Sequence, residues 1–507
     1  MWKPSSVCSR FQSGGAADAQ AGCRMNLAVV QRILGLLLMI FSVTMLPPVA
    51  VSLYFHDGNW SPFLDSFIAL LAVGALIWWP VRDRHRDLRL RDGFLVVALF
   101  WVVLGIAGAA PLVLSDRPDM TLTDAVFEAV SGFTTTGATV LIGLDTLPQS
   151  VLYYRQQICW FGGIGMVVLA VALLPMLGVG GMQLLKAETP GPVKDAKLTP
   201  RITETAKALW LIYVAITAAC ALAFWAAGMS LFDAIGHSFA VLSTAGYSTH
   251  DASLAYFNSA TIEMIAVFFM FLGGMNFSLH FTAWRHKRLG DYWRDPEWRV
   301  YAGILTTSVV LCTATLWLSG YKSTPVEALR VSLVHAVSVQ TSTGFTTENF
   351  ALWPGALPLI LVLTMFIGGC AGSTGGGMKV VRWLMIWKQG GREVFKLIHP
   401  SAEMPVKLGN KALEWRVIDG IWGFFAVYVV SFGVLMVLLM ATGEDQVTAF
   451  SAIATCMNNV GPGLGDVASN FTSISTPGKW ISILAMLLGR LEVFPLLVLI
   501  TPTFWRK

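Results

Sequence analysis

A chain of 507 residues that is 55% hydrophobic and only 13% charged falls far short of the roughly one-quarter charged residues of soluble domains, so lipid solvates most of it. The net charge of +5 does not mark a nucleic-acid binder, because the basic residues sit in short clusters between apolar runs rather than on one soluble face. Seven cysteines, at positions 8, 23, 159, 220, 312, 370 and 456, show no CxxC pairing, so neither a disulfide framework nor a zinc site follows.

In chain order, residues 1–24 are rich in Ser, Gly and Ala and precede a second methionine, Met25, so they read as a disordered extension. The apolar run from about Ile33 is too long for a signal-peptide core and lacks a small-residue cleavage site, which predicts a retained helix. Crossing a membrane takes roughly 20 apolar residues. Ten such runs lie near 30–55, 63–80, 93–114, 151–178, 207–228, 259–284, 300–320, 355–388, 417–442 and 478–502, and only the eighth is expected to be broken. Basic residues concentrate in alternate connections: Arg82, Arg84, Arg86, Arg89 and Arg91; Lys186, Lys194, Lys197 and Arg201; Arg285, Lys287, Arg288 and Arg294; Arg392, Lys396, Lys407 and Lys411. The positive-inside rule then places both termini in the cytoplasm.

From the third run onward, every outward connection repeats one pattern: an acidic or Thr-rich start, a weakly apolar stretch too short to cross, then a polar cluster ending in glycine. The clusters are Thr134-Thr135-Thr136-Gly137-Ala138, Ser243-Thr244-Ala245-Gly246-Tyr247, Thr341-Ser342-Thr343-Gly344-Phe345 and Asn458-Asn459-Val460-Gly461-Pro462. Near-equal spacing of the glycines predicts four copies of one unit, and an even number of crossings per unit makes the copies parallel. The predicted fold is therefore an all-α membrane protein of four helix, re-entrant loop, helix repeats around one pore, plus an N-terminal helix pair. The expected units are 25–92 for that pair, then 93–182, 183–284, 285–395 and 396–507 for the repeats.

Asp124, Asp233 and Glu327 stand where a short re-entrant helix would begin, which suits the positive end of its dipole and leaves the negative end aimed at the membrane centre. Beyond that end the backbone runs without helical partners, which lipid forbids unless its carbonyls line an aqueous path or hold an ion. Four such strands would present rings of carbonyl oxygens able to replace the water shell of a monovalent cation. One TTTG alone would read as an ordinary cap or turn; four in equivalent positions have no reason to recur unless they act together.

Two features lie below these clusters. Gly368-Gly369-Cys370-Ala371-Gly372-Ser373-Thr374-Gly375-Gly376-Gly377-Met378-Lys379 is too glycine-rich to face lipid, and no Gly-Lys-Ser/Thr follows to make it a phosphate loop. It reads either as close packing by small residues or as a mobile loop obstructing the path. Arg490 lies about 12 residues into the last run, roughly 18 Å from its outer end at 1.5 Å per residue. It either faces the pore or neutralises an acid such as Glu492 or Glu263. His237 and His335, within the re-entrant stretches, read as hydrogen-bonded packing residues.

With the segments SGFTTTGAT, LSTAGYST, SVQTSTGFTT and ATCMNNVGPGLG and the closing GRLEVFPLLVL, the chain from Met25 to Lys507 resembles the Trk/Ktr/HKT superfamily of cation transporters, in its bacterial Trk form. The resemblance implies a potassium-passing subunit of the inner membrane. Carried over, its filter residues are Thr135, Thr136, Gly137 and Ala138; Thr244, Ala245, Gly246 and Tyr247; Ser342, Thr343, Gly344 and Phe345; and Asn459, Val460, Gly461 and Pro462. The fourth segment departs from the Thr/Ser pattern and the second carries Ala245, so fourfold symmetry is approximate. The resemblance also implies an intramembrane gating loop around Gly375, Gly376, Gly377 and Lys379, an obstructing arginine at Arg490, a homodimer, and a cytoplasmic regulatory subunit that senses NAD or ATP/ADP. Potassium is the expected cargo, with lipid but no nucleic acid as partner and no organic cofactor.

Three functions compete: a gated potassium channel or uptake system, a sodium- or proton-coupled symporter or less selective potassium/sodium pathway, and a membrane enzyme. The enzyme is set aside, since the apolar runs carry almost no acid, base or metal-ligand clusters.

Overall fold

The computed structural model describes residues 27–83, 90–172, 202–402, 404–409 and 411–505. The extension 1–24 and the basic residues Arg84, Arg86, Arg89, Lys186, Lys194, Lys197 and Arg201 lie outside the described residues.

Helix dominates, with one two-stranded hairpin, Lys407–Leu408 against Lys411–Ala412. The first crossing is Leu27–Val43 continued, after a short break, by Leu46–Phe55, and it packs on Trp60–Trp78. The crossing is close because it is built on Gly35 and Gly74: a Cβ on either would stand 2.8 and 2.9 Å from the other's carbonyl oxygen, the small-residue contact that membranes favour.

Four units of outer helix, short pore helix and inner helix follow. Their outer helices are Leu90–Ala107, Ile202–Ala226, Pro296–Leu318 and Trp415–Met440, and their pore helices are Leu122–Phe133, Leu231–Ser243, Pro325–Gln340 and Gln446–Asn458. Pore helices of 12, 13, 16 and 13 residues cannot span a bilayer. Each begins at a capping side chain. Thr121, Ser230 and Thr324 accept from the N–H groups of Asp124, Asp233 and Glu327, the three acids singled out in the sequence, while Asp445 accepts from Val447 and Thr448. Such caps offset the orphan amides of the first turn by about 1 kcal/mol each.

The inner helices depart from the expectation of a single break. That of repeat 1, Gln149–Ala172, is continuous. That of repeat 2 bends by 94° between Ala260–Gly273 and Phe277–His286, and that of repeat 4 by 116° between Thr476–Arg490 and Phe494–Ile500. In repeat 3, Leu357–Ile367 and Val380–Ile398 are separated by the glycine-rich segment. The run 478–502 is thus no straight helix. Arg490 ends the first of its two helices, and Glu492 and Val493 behind it have positive φ. Apolar composition hides these bends, because the two halves of each bent pair together still read as one hydrophobic run.

Candidate ion pathway and its closure

All four pore helices end in the same way. The residue two before each glycine, Thr135, Thr244, Ser342 or Asn459, has φ of 52–57°, and the glycines Gly137, Gly246, Gly344 and Gly461 have φ of 75°, 65°, 89° and 94°. Between them, the amides of Thr136, Ala245, Thr343 and Val460 donate back to the carbonyls of Ser131, Ala240, Ser338 and Thr455 at 2.8–3.0 Å. This is a helix terminus with a left-handed residue followed by a six-to-one hydrogen bond. Non-glycine residues in that conformation cost on the order of 1 kcal/mol each, a strain carried four times at one level.

The clusters close on one another in cyclic order. A Cβ on Gly137 would stand 1.8 Å from the Ala245 oxygen, one on Gly246 2.0 Å from that of Thr343, and one on Gly344 2.0 Å from that of Val460. The fourth glycine returns to the first unit: a Cβ on Gly461 would stand 3.0 Å from the Thr136 oxygen. Four chain segments distant in sequence thus form one ring. Among the described residues, no donor meets the carbonyls of the left-handed residue, the one after it or the glycine in any cluster. Threonine side chains lock the inner end in repeats 1 and 3, Thr134 to Thr136 at 2.8 Å and Thr341 to Thr343 at 2.7 Å. In repeat 4 the amide of Asn459 instead donates to Thr136 Oγ1 at 2.9 Å and to Met486 O at 3.1 Å.

Directly beneath lies the glycine-rich segment. A Cβ on Gly376 would stand 2.1 Å from Asn458 O, and one on Gly375 2.8 Å from Thr341 O. The Gly376 N–H donates to Ser342 Oγ at 2.5 Å, and Thr374 Oγ1 donates to Gly273 O at 3.0 Å. Lys379 donates to Gly375 O across the turn. At the outer ends of the segment, Glu297 accepts from the amides of Ala371 at 2.7 Å and Val381 at 3.3 Å.

Arg490, 2% exposed, donates to Thr374 O at 3.0 Å and to Gly162 O at 3.1 Å, tying the segment to the inner helix of repeat 1. Its guanidinium carbon lies 5.2 Å from the Trp101 ring. The alternative of a neutralising acid is overturned: Glu263 pairs with Arg330 at 2.6 Å, and Glu492 with Arg382 at 2.5 Å.

The family model described as TrkH, cation transport protein, matches residues 61–507. The chain belongs to that family. The Trk system potassium uptake protein TrkH of Escherichia coli (strain K12) is 53% identical to it over 95% of this chain and 100% of that relative, and the TrkH of Halomonas elongata is 52% identical over the same shares. The crystal structure of the potassium transporter TrkH from Vibrio parahaemolyticus matches with a TM-score of 0.89 at 50% identity, over 95% of this chain and 100% of that one. Like these TrkH proteins, the chain is a multipass membrane protein, with six single helices and two bent pairs among the described residues long and apolar enough to cross.

The sequence-picked residues of the four clusters come together in the ring, and the glycine-rich segment and Arg490 meet below it. Sequence reasoning passed over Glu128 and Arg155, a buried pair with Nε to Oε1 at 2.8 Å, both almost wholly out of solvent. Each was hidden inside an apolar run. A lone acid and a lone arginine in such runs, both needing a partner, were the signal that could have found them.

Proposed function

We propose that this chain takes up potassium through a gated pore whose selectivity filter is the ring formed by Thr135–Ala138, Thr244–Tyr247, Ser342–Phe345 and Asn459–Pro462. The observation that carries the reading is the cyclic closure of four glycines over carbonyls that no donor among the described residues meets. Unpaired carbonyls inside a membrane protein are costly unless they face water or an ion. Rings of them at one level offer a monovalent cation the oxygen shell it loses on leaving water. The pore helices aim their partially negative C-termini at the same place. The names of the relatives, all potassium uptake proteins, point to the same cargo.

Below the filter, Arg490 with Gly375, Gly376, Gly377 and Lys379 forms the gate. A fixed guanidinium at about 4 Å from a passing cation, at an effective dielectric near 20, opposes it by on the order of 4 kcal/mol. The segment it holds fills the path mechanically. Conduction therefore requires release of the Arg490 bonds to Thr374 and Gly162, and movement of the segment.

The resemblance to the Trk/Ktr/HKT superfamily supports the rest: both termini in the cytoplasm of the bacterial inner membrane, a homodimer, and control by a cytoplasmic subunit binding NAD or ATP/ADP. The repeats are assigned to 93–182, 183–284, 285–395 and 396–507. A less selective potassium/sodium path is the second reading, favoured by Ala245 and Val460 standing where the other repeats carry Thr136 and Thr343.

The test is flux through the purified protein in liposomes under bi-ionic potassium/sodium conditions, with and without a proton gradient. A reversal potential set by potassium and indifferent to pH supports the filter reading. A reversal potential that follows the proton or sodium gradient points to coupling, and equal permeability to the unselective path.

A further inference from the structure

The position nine residues ahead of each cluster glycine is occupied by Glu128, His237, His335 and Ala452. In three repeats that side chain crosses from the pore helix to the strand leaving the cluster. Glu128 accepts from Thr139 Oγ1 at 3.0 Å and from the Val140 N–H at 3.0 Å. His237 spans Asp233 O and Ser248 Oγ, at 2.9 and 3.0 Å. His335 spans Val331 O and Glu348 O, both at 3.0 Å. Repeat 4 has no side chain to offer at Ala452, and the neighbouring Ser451 Oγ accepts from the Leu464 N–H at 2.5 Å instead. Leu464 and Val140 are the same three residues beyond their glycines.

The backbone of each cluster is therefore pinned at both ends. In repeat 1 the inner pin is Thr136 N–H on Ser131 O, and the outer pin is Thr139 and Val140 on Glu128. Between the pins, the Ala138 carbonyl accepts from Ser131 Oγ at 2.6 Å and from the Tyr247 hydroxyl at 3.1 Å. The Gly137 carbonyl is free to face the axis, and its direction is set by the pins on either side.

Repeat 1 alone among the described residues makes this strut from an ion pair. Arg155, from the inner helix, donates Nε to Glu128 at 2.8 Å and a terminal nitrogen to Thr139 Oγ1 at 3.1 Å. It also reaches repeat 2, donating to Ser248 O at 3.3 Å and lying 4.3 Å from the Tyr247 ring. The Tyr247 hydroxyl completes the circuit, its single hydrogen shared between Glu128 O at 3.0 Å and Ala138 O at 3.1 Å. One pair of charges thus fixes the outer strands of two adjacent clusters.

We propose that Glu128 and Arg155 are positioning residues for ion selectivity, holding the repeat 1 and repeat 2 strands at the separation that distinguishes potassium from sodium. This rests on reading the clusters as the filter. Neither side chain touches the ion. Each acts through Thr139, Val140, Tyr247 and Ser248.

The test measures bi-ionic potassium/sodium permeability ratios in proteoliposomes for Glu128→Gln, Arg155→Gln and the double variant, each checked for folding by size exclusion and melting temperature, beside Gly137→Ala in the ring itself. Each folded single variant is expected to lower the ratio about tenfold, and the double variant to lower it no further, because the two residues act as one unit. If Glu128→Gln does not fold, Thr139→Val decides instead: it keeps both charges and removes the hydroxyl that Glu128 and Arg155 share, leaving the Val140 N–H on Glu128, and it too should lower the ratio. Folded variants with the parental ratio, while Gly137→Ala changes it, overturn the proposal. An unchanged ratio in Gly137→Ala overturns the filter reading itself, and the strut falls with it.

Discussion

Above and below one level, the same four units obey different rules. The clusters above share a left-handed residue with φ of 52–57°, amides donated back at 2.8–3.0 Å, and cyclic contacts that are alike at three seams and looser at the fourth. The inner helices below are one continuous helix, two sharp bends and one glycine-rich break. Coordination of a spherical ion demands equivalent oxygens from every side, so symmetry is enforced where the carbonyls stand. Obstruction makes no such demand, since a single segment and a single arginine can close a pore.

Gly137→Ala should break the symmetric half most severely. Its Cβ would stand 1.8 Å from a backbone oxygen that cannot swing away, at φ 75°. Potassium preference in bi-ionic measurements should fall by tenfold or more, roughly 1.4 kcal/mol or above. Gly461→Ala, whose nearest contacts are at 3.0 Å, should cost visibly less. Equal damage at both sites would mean that the ring is not as asymmetric at its closing seam as the contacts indicate.

Next in size is the asymmetric half. Removing Gly375, Gly376 and Gly377 should raise potassium flux and make it less dependent on a cytoplasmic regulator, with the ion preference kept. A correctly inserted deletion with parental gating would show the segment to be packing. Arg490→Ala should also raise flux, through loss of the Coulomb barrier. It should lower the melting temperature only modestly, because two bonds to carbonyls are lost but no acid is stranded when the guanidinium goes. A large fall in melting temperature without a gain of flux would contradict the barrier.

Thr374→Val is the mildest change. It loses the 3.0 Å bond to Gly273 O, a contribution of about 1 kcal/mol, and should loosen the segment enough for a severalfold rise in flux. Parental flux would place the hold on the segment elsewhere, with Glu297 or Arg490.

Much of this division was legible in the sequence. Recurring glycines after polar clusters announced the four units, and acids in the first turn announced three of the pore helices, because both follow local rules. The bends behind Gly273 and Arg490 were not legible: the apolar halves on either side read as one span, and the close contacts at the turns come from distant parts of the chain. A Cβ on Gly489 would stand 2.2 Å from Met457 O, and one on Gly274 2.9 Å from Thr341 Cγ2. The acid alternative for Arg490 failed for a related reason. Sequence proximity offered Glu492, whereas the turn sends that acid to Arg382 and leaves the arginine to backbone carbonyls. Glu128 was passed over because one acid among Ala, Val and Phe looks like a tolerated exception until Arg155, on another helix, is seen against it.

The most direct measurement is anomalous scattering from rubidium, a potassium stand-in, in crystals of the protein. The account predicts peaks on the axis among the carbonyls of Thr135, Thr136 and Gly137 and their counterparts in the other three repeats, diminished in Gly137→Ala. Peaks elsewhere in the membrane, with none on that axis, would contradict it.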